Sequence, residues 1–216
     1  MRVIIVAAFS LLFAGLAFAQ EWEPYTSRTD FFAVNFPGQP KVEDNTYRSE
    51  YFLTLPARVY SVADGPSRYS VTVVDYSGAE KMHVDRAKPC QAELGNVDSC
   101  NPGFQSRTEL RGAIVYATWA FFQRDAKVTH FTYTYADLVE GHQLQLVNKD
   151  GSRTFAAIYM HENRLYILEG TVPENAPPPG LFQQSLQFLD KDGNKIRYQS
   201  IYSNGFPAPP VTRYRQ

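Results

Sequence analysis

The chain has little of what catalysis by a recognisable motif needs. It has two cysteines, Cys90 and Cys100, and four histidines, His83, His130, His142 and His161, scattered over 216 residues. There is no C-x-x-C, which excludes a thioredoxin-type redox pair, and no C-x-x-C-H, which excludes attached c-type haem. No G-x-S-x-G occurs, so a serine elbow has no starting point. Phosphate cradles of the G-x-x-x-x-G-K or G-x-G-x-x-G type are also missing. A zinc site would need two ligands beyond the cysteines, and only His83 stands near them. Excess positive charge is lacking too. With 21 basic and 22 acidic residues the chain has no electrostatic footprint of a nucleic-acid binder. These absences point away from an enzyme and imply no cofactor and no metal.

Long apolar runs are missing everywhere except at the start. Arg2 precedes an almost wholly apolar stretch, Val3 to Phe18, and Ala17-Phe18-Ala19 supplies an A-x-A cleavage pattern. This is the anatomy of a secretory signal peptide cut after Ala19; an uncleaved anchor is the other reading of the same residues. No cysteine follows the run, so it offers no site for lipid attachment. No later stretch approaches the roughly 18 residues that span a bilayer. The expected organisation is a signal peptide at 1–19, one domain at 20–203 and a Pro-rich tail at 204–216, in a periplasmic or secreted protein. Such a compartment is oxidising, so Cys90 and Cys100 are expected to pair. Closing a loop of about 11 residues should contribute about 2.8 kcal/mol in the chain-entropy picture.

What is plentiful is aromatic residues, with 15 Phe and 14 Tyr, and turn formers, with 14 Pro and 13 Gly. Both suit many short strands. Strand signals run through Phe31–Phe36, Thr46–Leu55 and Arg58–Ala63, the last two separated by Pro56. In Arg68–Tyr76, Tyr69, Val71 and Val73 alternate with Arg68, Ser70 and Thr72, as on a strand with one wet face. Gly112–Gln123 and Lys127–Tyr135 read as two more strands around a tip at Arg124-Asp125-Ala126. Gln143–Val147, Arg153–Met160, Arg164–Val172 and Lys195–Ile201 follow, with Asp150-Gly151 and Asp192-Gly193 as hairpin turns.

Helix signals are fewer. A short helix is expected near 79–88, with Pro89 breaking it or starting another turn after it, and Asn101-Pro102-Gly103 turning the chain back after the cysteine loop. The stronger pattern is Pro177–Leu189, where Leu181, Phe182, Ser185, Leu186 and Leu189 fall at helical spacing. The fold class is therefore α+β, an antiparallel β-sheet flanked by a few helices, with an all-β barrel or sandwich as the alternative.

Candidate sites are sparse. Asp190–Asn194 faintly resembles the start of a calcium loop, but Lys195 and Ile201 stand where a glycine and a bidentate acid belong, so a hairpin is expected. His161 falls in a turn, where exposure is expected. His130 reads as a surface or face-filling strand residue. Asp137, Glu140 and His142 are close in sequence and could share a cleft, though a solvated loop explains them more simply. Tyr133 and Tyr135 alternate with Thr132 and Thr134, so one strand face is Tyr-lined. That face is either core or a binding surface. The tail offers Pro207, Pro209 and Pro210 as a second possible partner surface.

Three segments carry a resemblance. WEPYTSRTDFFAVNFPGQPKVE (22–43) resembles the F-x-V-x-FPG-x-P opening of a group of bacterial exported proteins of unknown function. RTFAAIYMHENRLYILEGTVP (153–173) resembles their central hairpin, and LFQQSLQFLD (181–190) their closing helix. The group is similar to the PsbP-like fold, named from the extrinsic subunit of the plant oxygen-evolving complex. The cysteine loop and the Pro-rich tail depart from the pattern. The resemblance implies an antiparallel sheet with flanking helices and a non-enzymatic role, docking onto an assembly or a partner; it carries over no site residue. The expected function is thus binding of an envelope protein or component. The alternative is carriage of a small apolar ligand in a Tyr/Phe-lined cavity.

Overall fold

The computed structural model describes residues 22–95, 100–204 and 209–214, so the expected leader and Pro207 lie outside the described residues. In chain order the elements are β1 (Glu23–Ser27), β2 (Phe32–Phe36), β3 (Lys41–Arg48), β4 (Thr54–Asp64), β5 (Ser67–Asp75), α1 (Ala79–Leu94) and α2 (Pro102–Phe122). They continue with β6 (Ala126–Ala136), β7 (Val139–Asn148), β8 (Arg153–His161), β9 (Arg164–Val172), α3 (Gly180–Gln183), β10 (Gln187–Phe188), β11 (Lys195–Tyr198) and β12 (Val211–Tyr214). Seven strands form one antiparallel sheet in the order β3-β4-β5-β9-β8-β7-β6. A smaller sheet, β1-β2-β10, and the β11-β12 pair complete the strands. The molecule is α+β, and the all-β alternative does not hold.

The centre of the large sheet is covered on both sides. In β8, Phe155, Ala157 and Tyr159 face a core shared with Phe32, Phe36, Phe182 and Phe188. Ala156, Ile158 and Met160 face a second core shared with Ala113, Ala117 and Phe121 of α2. Burial on both faces is why this strand reads as a continuous run and not an alternation. Each large side chain removed from water here contributes about 1.5–3 kcal/mol. In β5 the expected alternation holds, with Tyr69, Val71 and Val73 buried in the first core. Asp190 serves a turn, as expected: its Oδ1 accepts from the Asp192 and Asn194 backbone amides at 2.9 Å.

Several local expectations are corrected. Gly112–Gln123 is not a strand but the second half of a 21-residue helix, α2. Its buried residues are Ser106, Glu109, Ala113, Ala117, Thr118 and Phe121, which fall at helical spacing and form one face. The strand-like composition came from Val115, Tyr116, Trp119 and Phe122, which lie outside that face. Asn101-Pro102-Gly103 is the helix start: the Asn101 side chain accepts from Gly103 N at 3.0 Å, and Pro102 opens the first turn. Arg124-Asp125 joins α2 to β6 and is no hairpin tip. The helix expected to stop at Pro89 runs on to Leu94.

Pro177–Leu189, the stronger helix pattern, yields only the four-residue α3. Tertiary bonds override the periodicity. Ser185 Oγ accepts from Asn35 N at 2.8 Å, and Gln187 and Phe188 pair with Ala33 and Phe32. Pro56 does not break β4, which runs through it. It lies one residue beyond the first pair with β5, Ala57↔Val74, where the strand has a neighbour on one side only. Among the described tail residues, Val211–Tyr214 pairs with Tyr198–Lys195.

The helical hairpin is held in an unusual way. The buried residues of α1 are Ala79, His83 and Ala87, too small and polar to make a hydrophobic seam. Polar and covalent ties replace it. Nε2 of fully buried His83 bonds Oε2 of buried Glu109 on α2. Cys90 and Cys100 are joined, with their Cα atoms 5.7 Å apart. Arg86 donates to the carbonyl oxygens of Tyr51 and Phe52 at 2.6 and 3.1 Å, tying α1 to the β3–β4 turn.

Candidate functional site

The two edges of the large sheet differ in chemistry. The β3 edge is KVEDNTYR, exposed along its length and carrying Lys41, Glu43, Asp44 and Arg48. The β6 edge is AKVTHFTYTYA, also largely exposed, with Lys127 as its one formally charged side chain. Among the described residues no strand pairs with the outer side of β6. Charged edges deter pairing with another chain, whereas a long uncharged edge invites it. The register shifts once, between Val128 and His130, and then runs regularly through the aromatic half.

Tyr133 and Tyr135 are 66% and 50% exposed, and Phe131 is 45% exposed. The Tyr-lined face is therefore surface, not core. Its pairing places it: Phe131 opposes Leu144, and Tyr133 opposes His142. Leu144 lies in the α2-side core, and His142 Nδ1 bonds Thr118 Oγ1 of α2 at 2.8 Å. The aromatic face of β6 thus stands beside α2. On that helix Val115, Trp119 and Phe122 are 61%, 58% and 39% exposed. They fall at i, i+4 and i+7, so they form one stripe. The stripe joins the strand where the Phe122 and Phe131 rings meet edge-on at 5.5 Å.

His142 is the floor of this shelf. Its ring lies 5.2 Å from Phe131 and 5.1 Å from Tyr133, both edge-on. Burial lowers its pKa, with Glu140 opposing. Burial thus favours the neutral imidazole, and none of the shelf side chains Val115, Trp119, Phe122, Phe131 and Tyr133 carries a formal charge. Asp137 and His142 do not form a common cleft: Asp137 turns to Lys195 at 3.8 Å while His142 turns to Thr118. His130 is exposed. His161, expected exposed, is 1% exposed, with Nε2 bonded to the Tyr198 hydroxyl at 2.7 Å. Its burial follows from the β11–β12 segment folding over the turn, which local sequence does not show.

The interior aromatics fill one another's space. Phe32 meets Tyr60 at 5.0 Å and Tyr166 at 6.1 Å, and Phe188 meets Tyr166 at 5.3 Å and His161 at 4.4 Å. Pro209 and Pro210 sit at the entry to β12, where the Pro210 carbonyl accepts from Gln199 N at 3.1 Å. Among the described residues no group of three His, Cys, Asp or Glu side chains is placed to hold a metal ion, and no helix is long and apolar enough to cross a membrane. Val115, Trp119 and Phe122 escaped the sequence reading because they were assigned to a strand. Their spacing was the available signal.

No protein-family model and no curated protein sequence matches this chain. Among solved structures it is similar to the solution structure of cyanobacterial PsbP (CyanoP) from Synechocystis sp. PCC 6803, at 12% identity and a TM-score of 0.38, over 74% of this chain and 85% of that one.

Proposed function

We propose that this protein is an exported, non-enzymatic docking module. It binds a segment of a partner protein in extended form along β6, and the partner's apolar side chains rest on the shelf of Val115, Trp119, Phe122, Phe131 and Tyr133. One observation carries the reading: an unpaired strand edge with a single formal charge borders a contiguous strip of exposed aromatics. Strand addition uses both parts. Main-chain bonds supply affinity and side-chain pockets supply specificity. Exposed Trp and Tyr are the side chains that most often dominate such contacts, and an apolar patch of this kind on a surface marks an interaction site. The Cys90–Cys100 bond supports an oxidising, exported setting. Pro209 and Pro210 lead into β12, with the Pro210 carbonyl bonded to Gln199 N, so the reading puts docking on β6 and not on the tail.

The test is site-specific photo-crosslinking in cells exporting the protein. A photoreactive residue at position 133 should give one discrete adduct, and the same residue at position 43 on the β3 edge should give none. Trp119→Ser and Phe131→Lys should each abolish the adduct while the thermal unfolding midpoint stays within a few degrees. Equal adducts from both positions, or none from either, would sink the proposal. A bound apolar molecule seen by native mass spectrometry would favour the carrier reading instead.

A further inference from the structure

On the opposite face of β6, at its end, lies a hollow of about 210 Å³. Thr134 and Asp137 come from the end of β6 and its turn, Gln143 and Tyr159 from β7 and β8, Gln187 from β10 and Lys195 from β11. Five separate chain segments therefore converge on one small volume.

The groups in it have hydrogen-bonding capacity to spare. Asp137 Oδ2 is buried and accepts no hydrogen bond; Lys195 Nζ is 3.8 Å away, beyond bonding distance. Burial raises the Asp137 pKa, opposed by Lys195 and Arg197. The half-buried amides of Gln143 and Gln187 line the same hollow. Their neighbour Gln183 is buried, and its amide donates to Ala156 O at 3.1 Å. A buried polar group left unpaired is costly, so Asp137 Oδ2 at the wall of this hollow requires an account.

The backbone is also arranged to present them. Asp137 and Leu138 form the two-residue β6–β7 turn, with φ of +48° and +66°. Positive φ is uncommon outside glycine, and leucine is a poor fit to it. The turn is held there from outside: Tyr202 N donates to Leu138 O at 2.9 Å. Under the hollow, the Tyr159 ring lies on Gly141, where a Cβ would come within 2.3 Å of it. A bare backbone at 141 lets the phenol occupy that wall.

We propose that this hollow binds a small, neutral, hydroxyl-rich molecule of monosaccharide size, with Asp137, Gln143 and Gln187 as its hydrogen-bonding groups. The charges argue for neutrality, since Asp137 and Lys195 face each other and leave no net charge for an ion to complement. The remaining groups argue for hydroxyls. A hydroxyl donates and accepts at one atom, an amide offers both roles, the carboxylate accepts and the ammonium donates.

The test uses the full mature chain with free hexoses, N-acetylhexosamines and sorbitol as probes, and glycine and inorganic phosphate as charged controls. Saturation-transfer NMR and calorimetry should show saturable binding of at least one hydroxylated probe. Gln143→Leu and Asp137→Asn should each weaken it by about tenfold, as should Gln187→Leu if Asp137→Asn alters the turn. Tyr133→Ser, on the other face, should leave it unchanged. Overturning results are no saturable binding by folded wild type, binding that survives Gln143→Leu and Gln187→Leu, or tighter binding of phosphate or glycine than of every hydroxylated probe.

Discussion

Removing Glu109 tests how the helical hairpin is held. His83 and Glu109 are 0% and 1% exposed and bond each other across α1 and α2, while His83 Nδ1 and Glu109 Oε1 have no partner. Glu109→Leu leaves a buried imidazole with nothing to bond, and His83→Leu leaves a buried carboxylate. Breaking one side of such a pair costs about 3–5 kcal/mol, whereas replacing both sides with apolar groups is often neutral or stabilising. Each single variant should therefore lose about 3–5 kcal/mol, a large share of the 5–15 kcal/mol typical of a domain. The double variant His83→Leu/Glu109→Leu should recover most of it. The assay is urea unfolding at pH 7 followed by circular dichroism, with the disulfide intact, read as a double-mutant cycle. Singles that each cost under about 1 kcal/mol, or costs that add in the double, would refute the reasoning.

Three other predictions follow from the same structure. Burial, with help from Arg164, holds His161 down to a pKa of about 3, against 6.5 unfolded. The unfolded chain takes the proton first, so stability is full above about pH 6.5 and falls as pH drops toward 3, by up to about 1.4 kcal/mol per pH unit. His161→Phe should flatten that slope in urea titrations across the window, and an unchanged slope would exclude His161 as its source. Native protein should show no titratable thiol, and Cys90→Ser with Cys100→Ser should lower stability by up to about 2.8 kcal/mol; two free thiols in native protein would contradict the clasp. Truncation after Ser203 removes Asn204, whose Oδ1 accepts from Asn163 N at 3.2 Å and the Tyr202 hydroxyl at 3.0 Å, together with β12. It should cost about 1–3 kcal/mol, and an unchanged thermal midpoint would show that the tail is not part of the fold.

Legibility in the sequence tracked how local the cause was. Arg68–Tyr76 and Asp150-Gly151 were legible because alternation and turn chemistry are written in adjacent residues. The α2 helix was misread because its buried face includes Ser106 and Glu109, polar residues that only a partner such as His83 makes suitable for a core. Pro177–Leu189 failed in the opposite sense. Its helical spacing is real, but Ser185 is claimed by Asn35, which lies 150 residues away in sequence. Of the exposed aromatic strip, Tyr133 and Tyr135 were visible as a face, but which face met water was not. That depended on α2, and so did the missing half of the shelf.

The unequal edges of the large sheet set a limit on stoichiometry. A sheet with two open edges can accept strands at both ends and grow into a filament. Here β3 presents two acids between a lysine and an arginine, and β6 presents aromatics and hydroxyls. The charged β3 edge is a poor match for the aromatic β6 edge, so head-to-tail stacking of copies, which would pair the two, has no complementary surface to repeat. Under the proposed docking, a strand taken up at β6, from a partner or from a second copy, occupies that edge and ends the growth of the large sheet there. Complexes formed in this way should be finite, at one partner per chain or two copies edge to edge.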